Sequence, residues 1–304
     1  MSTSRTDEAA GLPPGDGWPA SLRRLPLVRL LVFFGVLLAG DIAVQFGRIW
    51  VIRRAPPDAA GWTSIIAALA SAAVLLGIYI ALVRSMERRE ARELAPRAIH
   101  GLAGIILGLA LFSSVFGLLH LIGVAQWQGM AAHFDVAPML AASTLAAVGE
   151  ELAFRGALFR ILEEGFGTGT ALVISAALFG LLHALNPGAT VVSTAAISLE
   201  AGILLAAAYA VRRNLWFPIG LHLGWNFTEG GIFGVSVSGG HAGGGIFSVS
   251  FAGPNLLTGG KFGPEASLVA IAVCLATAIV LLALTVRSGR WISMRRDALR
   301  SPAT

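Results

Sequence analysis

The chain alternates long apolar runs with short polar breaks. Eight runs stand out, with approximate limits Leu27–Phe46, Trp62–Val83, Ala98–Val124, Ala137–Leu158, Thr170–Leu185, Ala189–Val211, Leu215–Thr228 and Ala266–Val286. A helix crosses the hydrocarbon of a bilayer with about 20 mainly apolar residues. The pattern therefore predicts an all-α, polytopic integral membrane bundle of about eight transmembrane helices. The seventh run is short, and is expected to continue into Gly230–Val237 or to pack at an angle. Around these runs the chain divides into a polar, disordered tail (1–25), the N-terminal transmembrane helices (26–136), a core unit (137–230), a Gly-rich loop (231–263), the last transmembrane helix (264–288) and a basic tail (289–304). Pro264 and Glu265 are expected to open that last helix, with proline in its first turn and an acid at its positive end.

Composition strengthens the membrane reading. Hydrophobic residues make up 56% of the 304 residues and charged residues 13%, against about 25% charged in soluble domains. Mean hydropathy is +0.76. The net charge of +5 does not call for nucleic acid, because the arginines cluster between apolar runs. Arg5, Arg23, Arg24 and Arg29 precede the first run, and Arg84, Arg88, Arg89, Arg92 and Arg97 separate the second and third. Arg212 and Arg213 follow the sixth, and Arg287, Arg290, Arg295, Arg296 and Arg300 end the chain. The opposite breaks, Gln126–Asp135 and Asn186–Gly188, have no basic residue. Positive charge stays on the cytoplasmic side, so both termini are expected there, with Arg48, Arg53 and Arg54 as exceptions. Lys261 is the sole lysine. That skew, together with the abundant alanine, points to a GC-rich bacterial genome and hence to the inner membrane of a cell. The single cysteine, Cys274, excludes an intrachain disulfide and a Cys-rich metal site.

Ionisable groups within a span are costly and need a reason. Three clusters carry them. In Glu150-Glu151-Leu152-Ala153-Phe154-Arg155, Glu151 and Arg155 are four apart with the acid first, the favoured pairing order. This leaves Glu150 as the freer carboxylate, a candidate general base. Both glutamates would also fit a helix end at the interface. Phe179 and His183 share a helix face, and a membrane histidine of this kind also serves as a hydrogen-bonded packing residue. His222 and Asn226 are likewise one turn apart. They either aim two donors at one point, as an oxyanion or a metal requires, or form an interhelical hydrogen-bond pair.

What is missing narrows the chemistry. There is no H-E-x-x-H. Asp41 has no evident aspartate partner in another span, which a dyad requires. Ser236 and Ser238 lie in the Gly-rich loop without serine-protease surroundings, and Cys274 has no histidine near it in sequence.

At these residues the chain resembles the CPBP family of CAAX prenyl-endopeptidases and bacterial Abi-type proteins. Its motifs are E-E-x-x-x-R (Glu150, Glu151, Arg155), F-x-x-x-H (Phe179, His183) and H-x-x-x-N/D (His222, Asn226), with no departure at a motif position. The likeness spans about Ala137 to Gly230. It implies an intramembrane endopeptidase in which Glu150 and His183 activate a water and His222 and Asn226 hold the tetrahedral oxyanion, supported by Glu151, Arg155 and Phe179. The family is often described as metalloproteases. A divalent metal such as zinc would take Glu150, His183 and His222 as ligands, whereas the expected mechanism needs no bound metal or other cofactor. The expected partners are a peptide or membrane-protein substrate and the lipid bilayer, and no nucleic acid. A bacterial source speaks against prenylated substrates. Two other readings use the same groups: a proton- or ion-coupled transporter, and a catalytically silent scaffold or bacteriocin self-immunity protein.

Overall fold

A computed structural model describes residues 25–240 and 244–294. The expected tails fall mostly outside these residues. The chain is a multi-pass helical membrane protein: among the described residues, six helices are long and apolar enough to cross a bilayer. α1 (Pro26–Ile52) is followed by α2 (Ala60–Leu82), which ends in a π-helical turn Val83–Glu87, and by α3 (Ala98–Leu121). Then come α4 (Ala137–Glu151), a π-helical stretch Leu152–Phe159, and α5 (Arg160–His183). α6 (Val191–Ile197) runs through a π turn, Ser198–Gly202, into α7 (Ile203–Arg212). α8 (Trp216–Asn226) ends in the π turn Phe227–Ile232, and a short α9 (Asn255–Thr258) precedes the last helix, α10 (Leu268–Arg287).

The two runs expected at Ala137–Leu158 and Thr170–Leu185 are joined differently from the polar loop that the sequence implies between them. Helix continues through Arg160, Glu163 and Glu164, and the chain reverses at Gly167, whose φ is 79°. The polar residues stay helical because each finds a partner. Arg160 binds Glu164 and Glu87, and Glu163 is held by Arg213 and by the Thr168 hydroxyl. Only glycine suits the reversal: a Cβ at Gly167 would lie 2.8 Å from the Ile292 carbonyl, and positive φ is costly for other residues. Gly167 lies 17 residues after Glu150 and 16 before His183. At about 1.5 Å per residue both arms are about 25 Å long, so the two motifs return to a common depth.

α8 stops being helical at Ile232 rather than continuing to Val237. It packs against α3 through glycines. A Cβ at Gly104 or Gly108 would overlap the Phe217 or Leu221 carbonyl, and one at Gly220 or Gly224 the Gly101 or Ile105 carbonyl. Such small-residue spacing lets membrane helices approach backbone to backbone. His222 and Asn226 are each two positions from a glycine, about 200° round the helix. The glycine face therefore presses the opposite, polar face toward α4 and α5.

Two segments read as loops contain strand. β1 (Ala125–Met130) pairs antiparallel with β2 (Phe247–Phe251), from Ala125↔Phe251 to Met130↔Phe247, with an irregularity between Trp127 and Gly129. The last helix also begins later than expected. Pro264–Ala266 is a 3₁₀ turn, and the Ser267 hydroxyl caps α10 by accepting from Ala270 N–H.

Arg29, Glu87, Arg89, Glu93, Arg160, Glu163, Glu164 and Arg213 gather through ion pairs at the end of the bundle where the hairpin turns. The basic breaks therefore do lie on a common side. Among the exceptions, Arg54 stacks 4.0 Å over the Trp50 ring.

Candidate active site

Arg155 lies on a π-helical stretch, Glu150, Glu151, His222 and Asn226 lie on helices that run directly into one, and Phe179 and His183 stand on the regular helix α5; π turns recur at functional sites. Arg155 is fully buried. Its Nη1 donates to Glu151 Oε1 at 2.7 Å, and its Nη2 reaches the Ala201 and Gly202 carbonyls at 3.3 and 3.2 Å. The guanidinium lies 4.5 Å from the Phe179 ring centroid, a cation–π contact. Phe179 in turn touches His183 (ring centroids 4.6 Å apart) and presents its edge to His222 at 6.3 Å. One aromatic ring thus packs against the buried guanidinium on one side and both histidine rings on the other.

Each histidine has one nitrogen anchored. His183 Nδ1 lies 2.8 Å from the Phe179 carbonyl oxygen. A carbonyl only accepts, so Nδ1 carries the proton and Nε2 of the neutral ring is left with its lone pair. That Nε2 faces Glu150 Oε2 at 3.9 Å. His222 Nδ1 lies 3.2 Å from Glu151 Oε1, so Glu151 serves His222 as well as Arg155. The pairing of Glu151 with Arg155 alone, expected from spacing, is therefore incomplete.

His183, His222 and Asn226 line one small cavity of about 20 Å³, enough for a single water. Glu150 does not line it. Glu150 opens instead onto a neighbouring cavity of about 160 Å³ that it shares with Asp41 and Gln45 of α1, and it meets the first cavity through His183. Three of the four expected residues share one chamber, and the fourth stands beside it. Several polar atoms here have no hydrogen-bond partner: Glu150 Oε2, Glu151 Oε2, Arg155 Nε and Trp225 Nε1.

Sequence reasoning passed over several neighbours. Glu200 and Glu265 line the small cavity, and Glu229 is fully buried nearby. Glu200 sits inside an apolar run, so the rule that singled out Glu150 could have found it. Asp41 lacks an aspartate partner, but its Oδ1 would lie 3.1 Å from a Cβ at Gly149 and its cavity is that of Glu150. Among the described residues, no three His, Cys, Asp or Glu side chains are grouped as metal ligands.

Residues 132–228 match the family model described as type II CAAX prenyl endopeptidase Rce1-like. No curated protein and no solved structure matches the chain. The matched third of the chain includes the hairpin, α6–α7 and α8 as far as Asn226, and excludes α1, Ser238 and Glu265. The chain therefore carries an Rce1-like domain of the CAAX protease family, in agreement with the CPBP resemblance of its three motifs.

Proposed function

We propose that this protein is an intramembrane endopeptidase. The observation that carries the reading is the Glu150–His183 pair, two acceptor atoms 3.9 Å apart. One water can lie at about 2.8 Å from both atoms. Glu150 takes a proton from it as its oxygen attacks the scissile carbonyl, and the Glu150–His183 pair then returns a proton to the leaving amine. His222 and Asn226 donate to the oxyanion. With Nδ1–H given to Glu151, His222 donates through Nε2 when the ring holds both protons, and Glu151 balances that charge. Pre-aimed donors in a water-poor site stabilise developing charge strongly. No bound metal is required in this scheme. The protein resides in the inner membrane with both termini cytoplasmic, which a reporter fused to the C-terminus would check.

The test is cleavage by purified protein in detergent micelles, with a fluorogenic peptide ending Cys-aliphatic-aliphatic-X, farnesylated and unmodified, as probe. Comparative membrane proteomics of cells carrying wild type or Glu150→Ala extends the test to membrane-protein substrates. Glu150→Ala and His183→Ala should each lower turnover by about 10²–10⁴-fold with the fold intact, and a chelator should leave activity unchanged. If neither assay finds a Glu150-dependent cut, the hydrolase reading fails and the carrier or silent-scaffold reading takes its place.

A further inference from the structure

The motif residues do not complete the small cavity. Glu265 stands on the turn ahead of α10, outside the matched segment, and is 2% exposed. It lines the cavity with His183, His222, Asn226, Trp225 and Ser238. Its Oε1 has no hydrogen-bond partner, although Glu229 and Ser238 stand against the carboxyl, and the buried Trp225 Nε1, which lines the same cavity, has none either. The helix does not need Glu265 as a cap, because Ser267 already fills that position. Glu200, which shares the wall, stands against the Cys274 thiol.

The placement of Glu265 is built in. Gly263, at φ 127°, lets the turn pass the Ser236 carbonyl where a Cβ would overlap it. Ser238 holds a left-handed conformation, φ 48°, and its carbonyl accepts from Asn186 Nδ2 at 3.0 Å. Asn186 follows His183 by three residues, so the strap is tied to the end of the catalytic hairpin. A buried acceptor left unpaired loses about 1–3 kcal/mol, so an open acceptor beside donors calls for a ligand group. A trans peptide unit presents one C=O and one N–H. The cavity offers the complement, with donors on His222 and Asn226 and an acceptor on Glu265.

We propose that Glu265 anchors the substrate main chain by accepting a hydrogen bond from a peptide N–H flanking the scissile bond. This deepens the endopeptidase reading and rests on it. The substrate is thus held by its backbone between two walls of the cavity, one of them supplied from outside the matched domain.

The test uses the full-length protein in micelles and both peptides, farnesylated and unmodified. Glu265→Leu should raise KM about tenfold, the worth of one hydrogen bond, with kcat within about threefold because the contact is made equally before and during the reaction. Glu265→Gln, which retains an accepting oxygen, should restore KM to within about threefold. A peptide with an ester in place of the flanking amide should bind wild type about tenfold more weakly and the Gln variant likewise, but should lose nothing further on Glu265→Leu. Fluorescence anisotropy on Glu150→Ala protein, with and without Glu265→Leu, measures binding without turnover. Unchanged KM in Glu265→Leu, equal damage from Gln and Leu, or no peptide binding to Glu150→Ala would each overturn the anchor. Glu150-dependent cleavage with no Glu265 effect sinks this inference alone. Glu265-dependent binding without cleavage sinks the hydrolase reading alone. Should Glu265→Leu fail to fold, the ester peptide on wild type and the Gln variant decides.

Discussion

Two ion-pair clusters hold this bundle, and they are built in opposite ways. At the turning end of the hairpin every carboxylate oxygen of Glu87 and Glu93 is engaged. Glu87 Oε1 accepts from Arg29 and Arg160 and Oε2 from Arg89, while Glu93 accepts from Arg89 through both oxygens and from Tyr79. Near the middle of the hairpin arm, Glu151 and Arg155 are sealed at 0% exposure, yet Glu151 Oε2 and Arg155 Nε have no partner. The first cluster is saturated and joins α1 and the α2–α3 loop to α5. The second leaves hydrogen-bonding capacity unspent and hands one carboxylate to His222. A network that only fastens helices has no reason to retain open acceptors where an unpaired group is most costly. The difference accords with fastening at the first cluster and with the proposed chemistry at the second.

The sharpest way to break this comparison is to remove the buried cation. Arg155→Ala strips the buried Glu151 of its guanidinium partner and should cost about 3–5 kcal/mol, read as a fall in the melting temperature of the micellar protein. A loss no larger than that from Arg89→Ala, whose side chain is 33% exposed, would contradict it. Next come the donors: His222→Ala and Asn226→Ala should each lower kcat by about 10²–10³-fold with little change in melting. If activity survives both, the oxyanion assignment goes. Gly108→Leu pushes α8 off α3 and should cost about 1–3 kcal/mol or more. Activity should fall in step with stability, because the same helix carries His222 and Asn226.

The smallest effect concerns pH. Glu93 lies in the loop between α2 and α3, and burial alone would raise its pKa. Its bonds to Arg89 and Tyr79 nevertheless hold it below its ordinary 4.5. A carboxyl depressed by folding contributes stability above its unfolded value, and this is lost as pH falls through the folded value. Melting temperature should therefore drop as pH is lowered from about 5 toward 3, and Arg89→Ala should shrink the drop. An equally steep drop in the variant would remove Glu93 from the account.

Much of this was legible beforehand. The eight runs each fall on helix because hydrophobicity over about 20 residues is a strong signal in a bilayer protein. The three motifs were found because charged groups violate that signal. The reversal at Gly167 was not, because Arg160, Glu163 and Glu164 read as loop until their partners, far away in sequence, are known. The π turns leave no periodic trace. β2 is hidden in a glycine- and serine-rich stretch, and its pairing with β1 across more than a hundred residues cannot be read from local pattern. Gly104–Gly108 and Gly220–Gly224 have legible small-residue spacing, but only the fold shows that they face each other. Glu265 looked like a helix-start acid because its neighbours in the cavity come from α5 and α8.

The two equal arms about Gly167 make the hairpin a folded ruler. One residue added between Glu150 and Gly167 would swing the glutamate about 100° and lift it about 1.5 Å against His183, with every side chain on both arms chemically unchanged. Neither arm can change length by itself, and a transplant that exchanges only one of them inherits both motifs and misaligns them. The segment from Glu150 to His183 is heritable only as a whole.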